Sequence, residues 1–175
     1  MARARLILFL AACLAAGVPA VAAERQSHYA LTQHALDTYI LPRIETFDVR
    51  TDTLSKSVTA FCNAPADAGR DELKSRFRDA LLAWADAETV RIGPATQEGR
   101  SQRIAFWPDA RGAVTRQLKQ ALARSDPALT DARRIAAQSA AVQGFPALEL
   151  LLSDTATPLG APGGEGAYRC KAATA

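Results

Sequence analysis

The sequence predicts an all-α protein, a helical bundle of about four to five helices, and three observations carry that prediction. Apolar residues recur at three- and four-residue steps along most of the chain, the period of a helix buried along one side. Alanine is abundant while aromatic residues make up only 6%, a balance that favours helices over strands. No strand alternation, internal repeat or glycine-rich phosphate loop interrupts the helical period. With 175 residues, 49% of them hydrophobic, the chain has room for one domain or slightly more and is neither disordered nor low-complexity.

Residues 1–23 read as a secretory signal. Arg3 and Arg5 form a positive start, Leu6 to Val18 an apolar stretch, and Ala20-Val21-Ala22 a cleavage motif, with the cut expected near Ala22 and Ala23. The apolar stretch is too short and too alanine-rich for a transmembrane span. Leu10-Ala11-Ala12-Cys13 offers a lipoprotein alternative, in which Cys13 would carry the anchor. That reading leaves an apolar stretch of about seven residues, at the bottom of the normal range, and the chain after Cys13 is still apolar. Simple export to the periplasm or cell envelope is the expectation, with residues 24–175 as one helical domain.

Removing Arg3 and Arg5 from 21 basic residues leaves 19 against 18 acidic ones. The alkaline sequence pI of about 9.0 therefore belongs largely to the leader, and no basic stripe remains to bind nucleic acid.

The first helix is expected to carry Leu31, Ala35, Tyr39, Leu54, Val58 and Phe61 on its buried side. Pro42 should kink it near Ile40–Leu41, because proline lacks the amide and crowds the preceding turn. Asn63-Ala64-Pro65 stops it. A second helix is predicted from Asp67 or Asp71 to Arg91, with Leu73, Phe77, Ala80, Leu81, Trp84 and Glu88 along one side. Gly93 and Pro94 end it, and Arg91 falls in its last turn, where a cation is favourable.

The third helix is predicted over Asp109–Ala123, led in by Pro108, with Val114, Leu118 and Leu122 buried. The fourth, from Thr130 or Asp131 to Leu152, is hydrophobic almost all round near its end and should be the central helix. Residues 154–167 read as a Gly/Pro loop. Tyr168-Arg169-Cys170 opens a short fifth helix. Trp84 and Trp107 are expected in the core, and Arg133-Arg134 on a solvated face.

In an oxidising compartment Cys62 and Cys170 are most simply a disulfide. A loop of about 108 residues would stabilise the chain by roughly 4–5 kcal/mol in the chain-entropy description. A two-cysteine metal site is the lesser alternative, since neither cysteine has a CxxC partner or clustered histidine.

Several strings stand out in order: Leu41-Pro42-Arg43 after Tyr39, Arg91-Ile92-Gly93-Pro94, Arg103-Ile104-Ala105-Phe106-Trp107-Pro108-Asp109, Gln143-Gly144-Phe145-Pro146-Ala147-Leu148-Glu149 and Arg169-Cys170. Together with the leader they resemble the imelysin family of bacterial envelope proteins over about residues 28–172. That family is also described as insulin-cleaving metallopeptidases, with iron-regulated and iron-uptake relatives. The resemblance implies an all-helical fold of two bundles about twice this length, so the chain looks like the N-terminal part of an imelysin. It also implies association with iron or another cation.

The family's GxHxxE marker puts His and Glu on one side of a helix, a sensible metal pair. Here Gly144 and Glu149 are retained and Pro146 stands where the histidine would be, so half of the local pair is missing. The only histidines, His28 and His34, lie far upstream, and an HExxH zinc peptidase is excluded. Ser or Cys nucleophile chemistry lacks a placed histidine.

Glu149 lies among apolar neighbours and is expected to be partly buried, which requires a cationic partner. Arg91, Arg103 and His34 are the candidates. One reading is a structural ion pair; the other is a variant metal or ligand site built from Glu149 with Glu45 or Glu88. Three function classes follow: a non-catalytic envelope protein tied to iron acquisition or to cation or ligand binding, a metallopeptidase, and a helical module completed by a partner. The metallopeptidase is disfavoured because a hydrolytic metal needs about three protein ligands.

Overall fold

The computed structural model describes residues 20–175, with side chains from Ser27 onward. Arg3, Arg5 and Cys13 lie outside the described residues, while the backbone at Ala22 and Ala23 falls in the first helix. All regular structure among the described residues is helical, as predicted. The chain divides into two units, one ending at Pro42 and one spanning Arg43–Ala175.

The first unit holds α1 (Ala20–Ala35) and a π-helical turn (Leu36–Ile40). The predicted disturbance at Pro42 is this wide turn: the amide of Leu41 reaches back five residues to the carbonyl of Leu36. A proline ring needs space at the carbonyl four residues before it, and one extra residue per turn supplies it without breaking the helix. The expected buried stripe is not buried here. Leu31 and Tyr39 are exposed, as are Tyr29, Ala35 and His34.

The second unit takes in most of α2 (Leu41–Asn63), then α3 (Asp67–Ala87), α4 (Arg100–Ile104), α5 (Ala113–Ala123), α6 (Ala132–Ile135), α7 (Gly144–Ser153) and α8 (Gly164–Thr174). Short 3-10 segments cover Gly93–Gly99, which is kinked at Gln97 and Glu98, Pro127–Thr130 and Ala140–Val142. Leu54, Val58 and Phe61 of α2 pack against Leu73, Phe77, Ala80 and Trp84 of α3, with Phe145, Leu152, Leu159 and Cys170 completing one core. A second core joins Leu118, Ala121 and Leu122 of α5 to Leu129, Val142, Ala147 and Leu151. Helix α7 is therefore central in a specific sense. Phe145 and Leu152 enter one core, while Ala147 and Leu151, on the opposite side, enter the other.

Several boundaries differ from expectation. Helix α3 stops at Ala87, with Glu88 exposed at its cap, because Ile92 is already extended (φ −137°) before Gly93 turns left-handed (φ 71°). Arg91 is thus beyond the helix, not in its last turn. Helix α5 begins at Ala113, since the carboxylate of Asp109 accepts the amides of Ala113 (2.6 Å) and Val114 (3.0 Å) and makes residues 109–112 a capping loop. Its buried face of Val114, Leu118 and Leu122 is as predicted. Trp84 is buried, but Trp107 is 78% exposed.

The predicted fourth helix is three short pieces, preceded by the turn at Pro127–Thr130. Asp126 accepts from the amide of Ala128 (2.9 Å), Asp131 from those of Arg133 (2.9 Å) and Arg134 (3.1 Å), and Ser139 from that of Ala141 (3.3 Å). Each side chain starts a new turn, and short polar side chains compete with helix continuation in this way. The last piece, α7, starts at Gly144, whose φ of +66° breaks the helical path.

Helix α8 begins at Gly164, inside the predicted loop. Gly166 there packs so closely on the backbone of Ala161 that a Cβ would overlap it.

Candidate functional site

The disulfide between Cys62 and Cys170 ties the C-terminal end of α2 to α8, with the two Cα atoms 5.6 Å apart at a sequence separation of 108. The same helix carries a buried cation that the sequence reading mentioned only as part of a string. Arg169 is 7% exposed; it donates to Asp154 at 2.8 Å and to Glu165 at 3.2 Å. Burial pushes the Asp154 carboxyl up. Its hydrogen bonds from Arg169 and from the amides of Thr157 and Ala156 outweigh that, and hold it below its ordinary value. Next door, the hydroxyl of Tyr168 donates to the carbonyl of Asp126 at 2.8 Å, and burial, with the Asp126 charge, raises the phenol. A charged residue followed by a half-cystine was the available signal. Its partner Asp154 carried none beyond opening a loop.

The motif segment is placed differently from expectation. Glu149 and Ser153, four residues apart, lie on the exposed side of α7, while Pro146 is half-buried and Leu150 packs on the second core. Glu149 is exposed and makes no hydrogen bond or ion pair among the described residues. The anticipated pairing with Arg91, Arg103 or His34 is absent, because an exposed carboxylate is served by water and needs no partner. Glu45 and Glu88 are exposed on α2 and at the end of α3, and Arg91 is exposed beyond it.

For a metal of the kind the GxHxxE motif implies, the residues present do not fit. Pro146 has no donor atom, and among the described residues no three His, Cys, Asp or Glu side chains come together in a group able to hold an ion.

A concave feature lies on the other side of α7. A cavity of ≈ 500 Å³ is bounded by Phe47, Thr51 and Leu54 of α2, Arg100, Arg103 and Ile104 of α4, and Gly144, Phe145, Ala147, Leu148 and Leu151 of α7. Leu118, Leu129, Ile135, Val142 and the end of α8 close the rest. Its wall is aliphatic and aromatic with few polar groups, the usual make-up of a small-molecule site. Two arginines line it, with no acidic side chain; the terminal residue Ala175 is also at the wall.

Gly144 anchors this wall. Its left-handed φ of +66° starts α7, and its Cα lies so near the end of α4 that a Cβ would overlap the carbonyl oxygens of Arg103 and Ile104. Gly144 and Arg103 are the two motif-derived candidates that the fold brings together; Glu149 points elsewhere.

No helix among the described residues is long and apolar enough to cross a membrane. No curated protein matches the chain. The fold is similar to the crystal structure of an imelysin-like protein from Psychrobacter arcticum 273-4, at 26% sequence identity and a TM-score of 0.69 over 82% of this chain. The match spans 44% of that protein's length, so the chain corresponds to less than half of it. The Peptidase M75 (Imelysin) family matches residues 40–174, which takes in both helical cores, the motif segment and the disulfide: the chain belongs to the imelysin family.

Proposed function

We propose that this is an exported, non-catalytic imelysin-family protein of the cell envelope that works by binding a ligand in the apolar cavity beside α7. The cavity carries the reading: it has the volume and the lining of a ligand pocket. The residues of the GxHxxE position support no comparable cation site by themselves. A role in iron acquisition is then indirect, through what the cavity binds, and not through a metal held at Glu149. The leader supports export, with the mature chain starting at Glu24.

The purified mature protein should melt cooperatively and enhance the fluorescence of an apolar reporter dye saturably, at one site per chain. It should leave insulin B chain intact with or without a chelator. Chelator-sensitive cleavage would replace this reading with the metallopeptidase. Mass analysis of the protein recovered from the envelope fraction tests export.

One observation favours a second reading, a helical module completed by a partner. Ile44 and Val49 on α2, Leu82 on α3 and Ile92 beyond it are exposed, and the match covers only 44% of the imelysin-like relative. Concentration-dependent self-association of the isolated chain would support it.

A further inference from the structure

We infer that the cavity is built for a single-headed amphiphile, an apolar chain ending in a carboxylate, with Arg103 as the group that binds the head. The inference rests on the ligand-binding reading above and specifies the ligand class.

The polar groups of the wall narrow the choice. Thr51 spends its hydroxyl proton on the carbonyls of Phe47 and Asp48 (both 2.9 Å). Gln143 donates to the carbonyl of Gln138 at 2.8 Å. Arg100 is engaged by Glu98 and by the carbonyl of Pro94, each at 3.3 Å. Arg103 is half-buried and makes no hydrogen bond or ion pair among the described residues.

A guanidinium withdrawn from water without an acceptor is unfavourable. No acidic side chain lines the cavity, and the terminal Ala175 at its wall makes no ion pair with Arg103, so we assign the acceptor to the occupant. A planar fork of donors fits a carboxylate through two parallel hydrogen bonds. The rest of the wall, Leu118, Leu129, Val142, Leu148 and Leu151 among it, offers dispersion contacts and no further donors, so the body of the ligand is apolar. A nucleotide or sugar would leave most of its polar groups unpaired there.

Isothermal titration of the full chain with dodecanoate, kept below its micelle concentration, and with dodecanol as the uncharged counterpart, tests this. Dodecanoate should bind saturably at one site per chain. Arg103→Ala should weaken it about 10- to 100-fold, the range of a hydrogen bond to a charged group, and leave dodecanol unchanged. Arg103→Gln, which keeps bulk and loses charge, gives the same readout should the alanine variant not fold. Leu148→Trp, filling the cavity, should abolish both, with the helical circular dichroism spectrum retained.

Equal binding of dodecanoate to wild type and both Arg103 variants would overturn the head-group assignment while leaving a ligand cavity in place. Failure of both ligands to bind wild type would overturn the cavity reading as well. Unchanged binding to Leu148→Trp would place the ligand elsewhere and overturn the proposal.

Discussion

The carboxylate of Asp154 accepts a hydrogen bond from the guanidinium of Arg169 at 2.8 Å, joining the end of α7 to the middle of α8. Arg169 is nearly enclosed while Asp154 keeps 22% of its side-chain surface, so the arginine depends on the acid more than the reverse. Arg169→Met should cost less than Asp154→Ala, because only the second leaves a buried charge short of an acceptor. For Asp154→Ala we expect a loss of about 2–4 kcal/mol, reduced from a fully buried pair by Glu165, which remains. Urea denaturation of both variants measures the order.

The same pair sets a pH dependence. The Asp154 carboxyl is held below its ordinary value in the folded chain, so unfolding at low pH takes up a proton. Its contribution is complete above the unfolded carboxylate pKa near 3.8, and falls as pH drops through the lower folded value. Between neutrality and that region the pair is insensitive to pH. Asp154→Asn should therefore flatten the acid limb of the stability profile and leave the slope above pH 5 as in wild type; an unaltered acid limb would contradict the assignment.

Cys62 and Cys170 close 108 residues of the chain, and reduction releases that constraint on the unfolded ensemble. Cys62→Ser with Cys170→Ser should lower stability by about 2–5 kcal/mol. Comparing denaturation of the double variant with the oxidised protein measures this, and mass analysis without reductant confirms that the wild type carries the bond.

How far the fold could be read beforehand depends on which residues gave local signals. The stripe of Val114, Leu118 and Leu122 and the cysteine pair were legible, because helical period and redox chemistry are properties of sequence alone. The fourth helix was not. Asp131 was legible as a helix start, but Ser139 resembles an ordinary polar position in an alanine-rich helix until its side chain is seen accepting from the amide of Ala141.

Glu149 was misread for a different reason. Counting its apolar neighbours suggested burial, but spacing it with Ser153, four residues on, places it on the exposed side of the helix. The cavity had no sequence signal, because its walls come from segments scattered between Phe47 and Ala175 and converge only in three dimensions.

Gly144 is the tightest backbone constraint at the cavity. A side chain there must adopt a left-handed φ and overlap the last carbonyls of α4. Alanine improves helix propensity by about 1 kcal/mol, yet Gly144→Ala should destabilise by about 2–5 kcal/mol from backbone strain and overpacking. Shifting α4 would also displace Arg103, so dodecanoate affinity should fall in parallel with the melting temperature. Wild-type stability for this variant would mean that α4 and α7 are farther apart than described.

Glu149 provides the sharpest contrast with the motif reading. If it were half of a metal pair or of a buried ion pair, removing it would be costly: about 3–5 kcal/mol for a buried pair, or loss of the cation. On the exposed stripe of α7 it contacts water, so Glu149→Ala should change stability by no more than about 0.5 kcal/mol. Iron titrations of the variant and the wild type should superimpose. A large destabilisation would require a partner that the exposed position does not provide, and lost iron binding would require ligands supplied from beyond residues 20–175. The neutral outcome assigns function to the opposite face of the helix, where Gly144 and Arg103 meet.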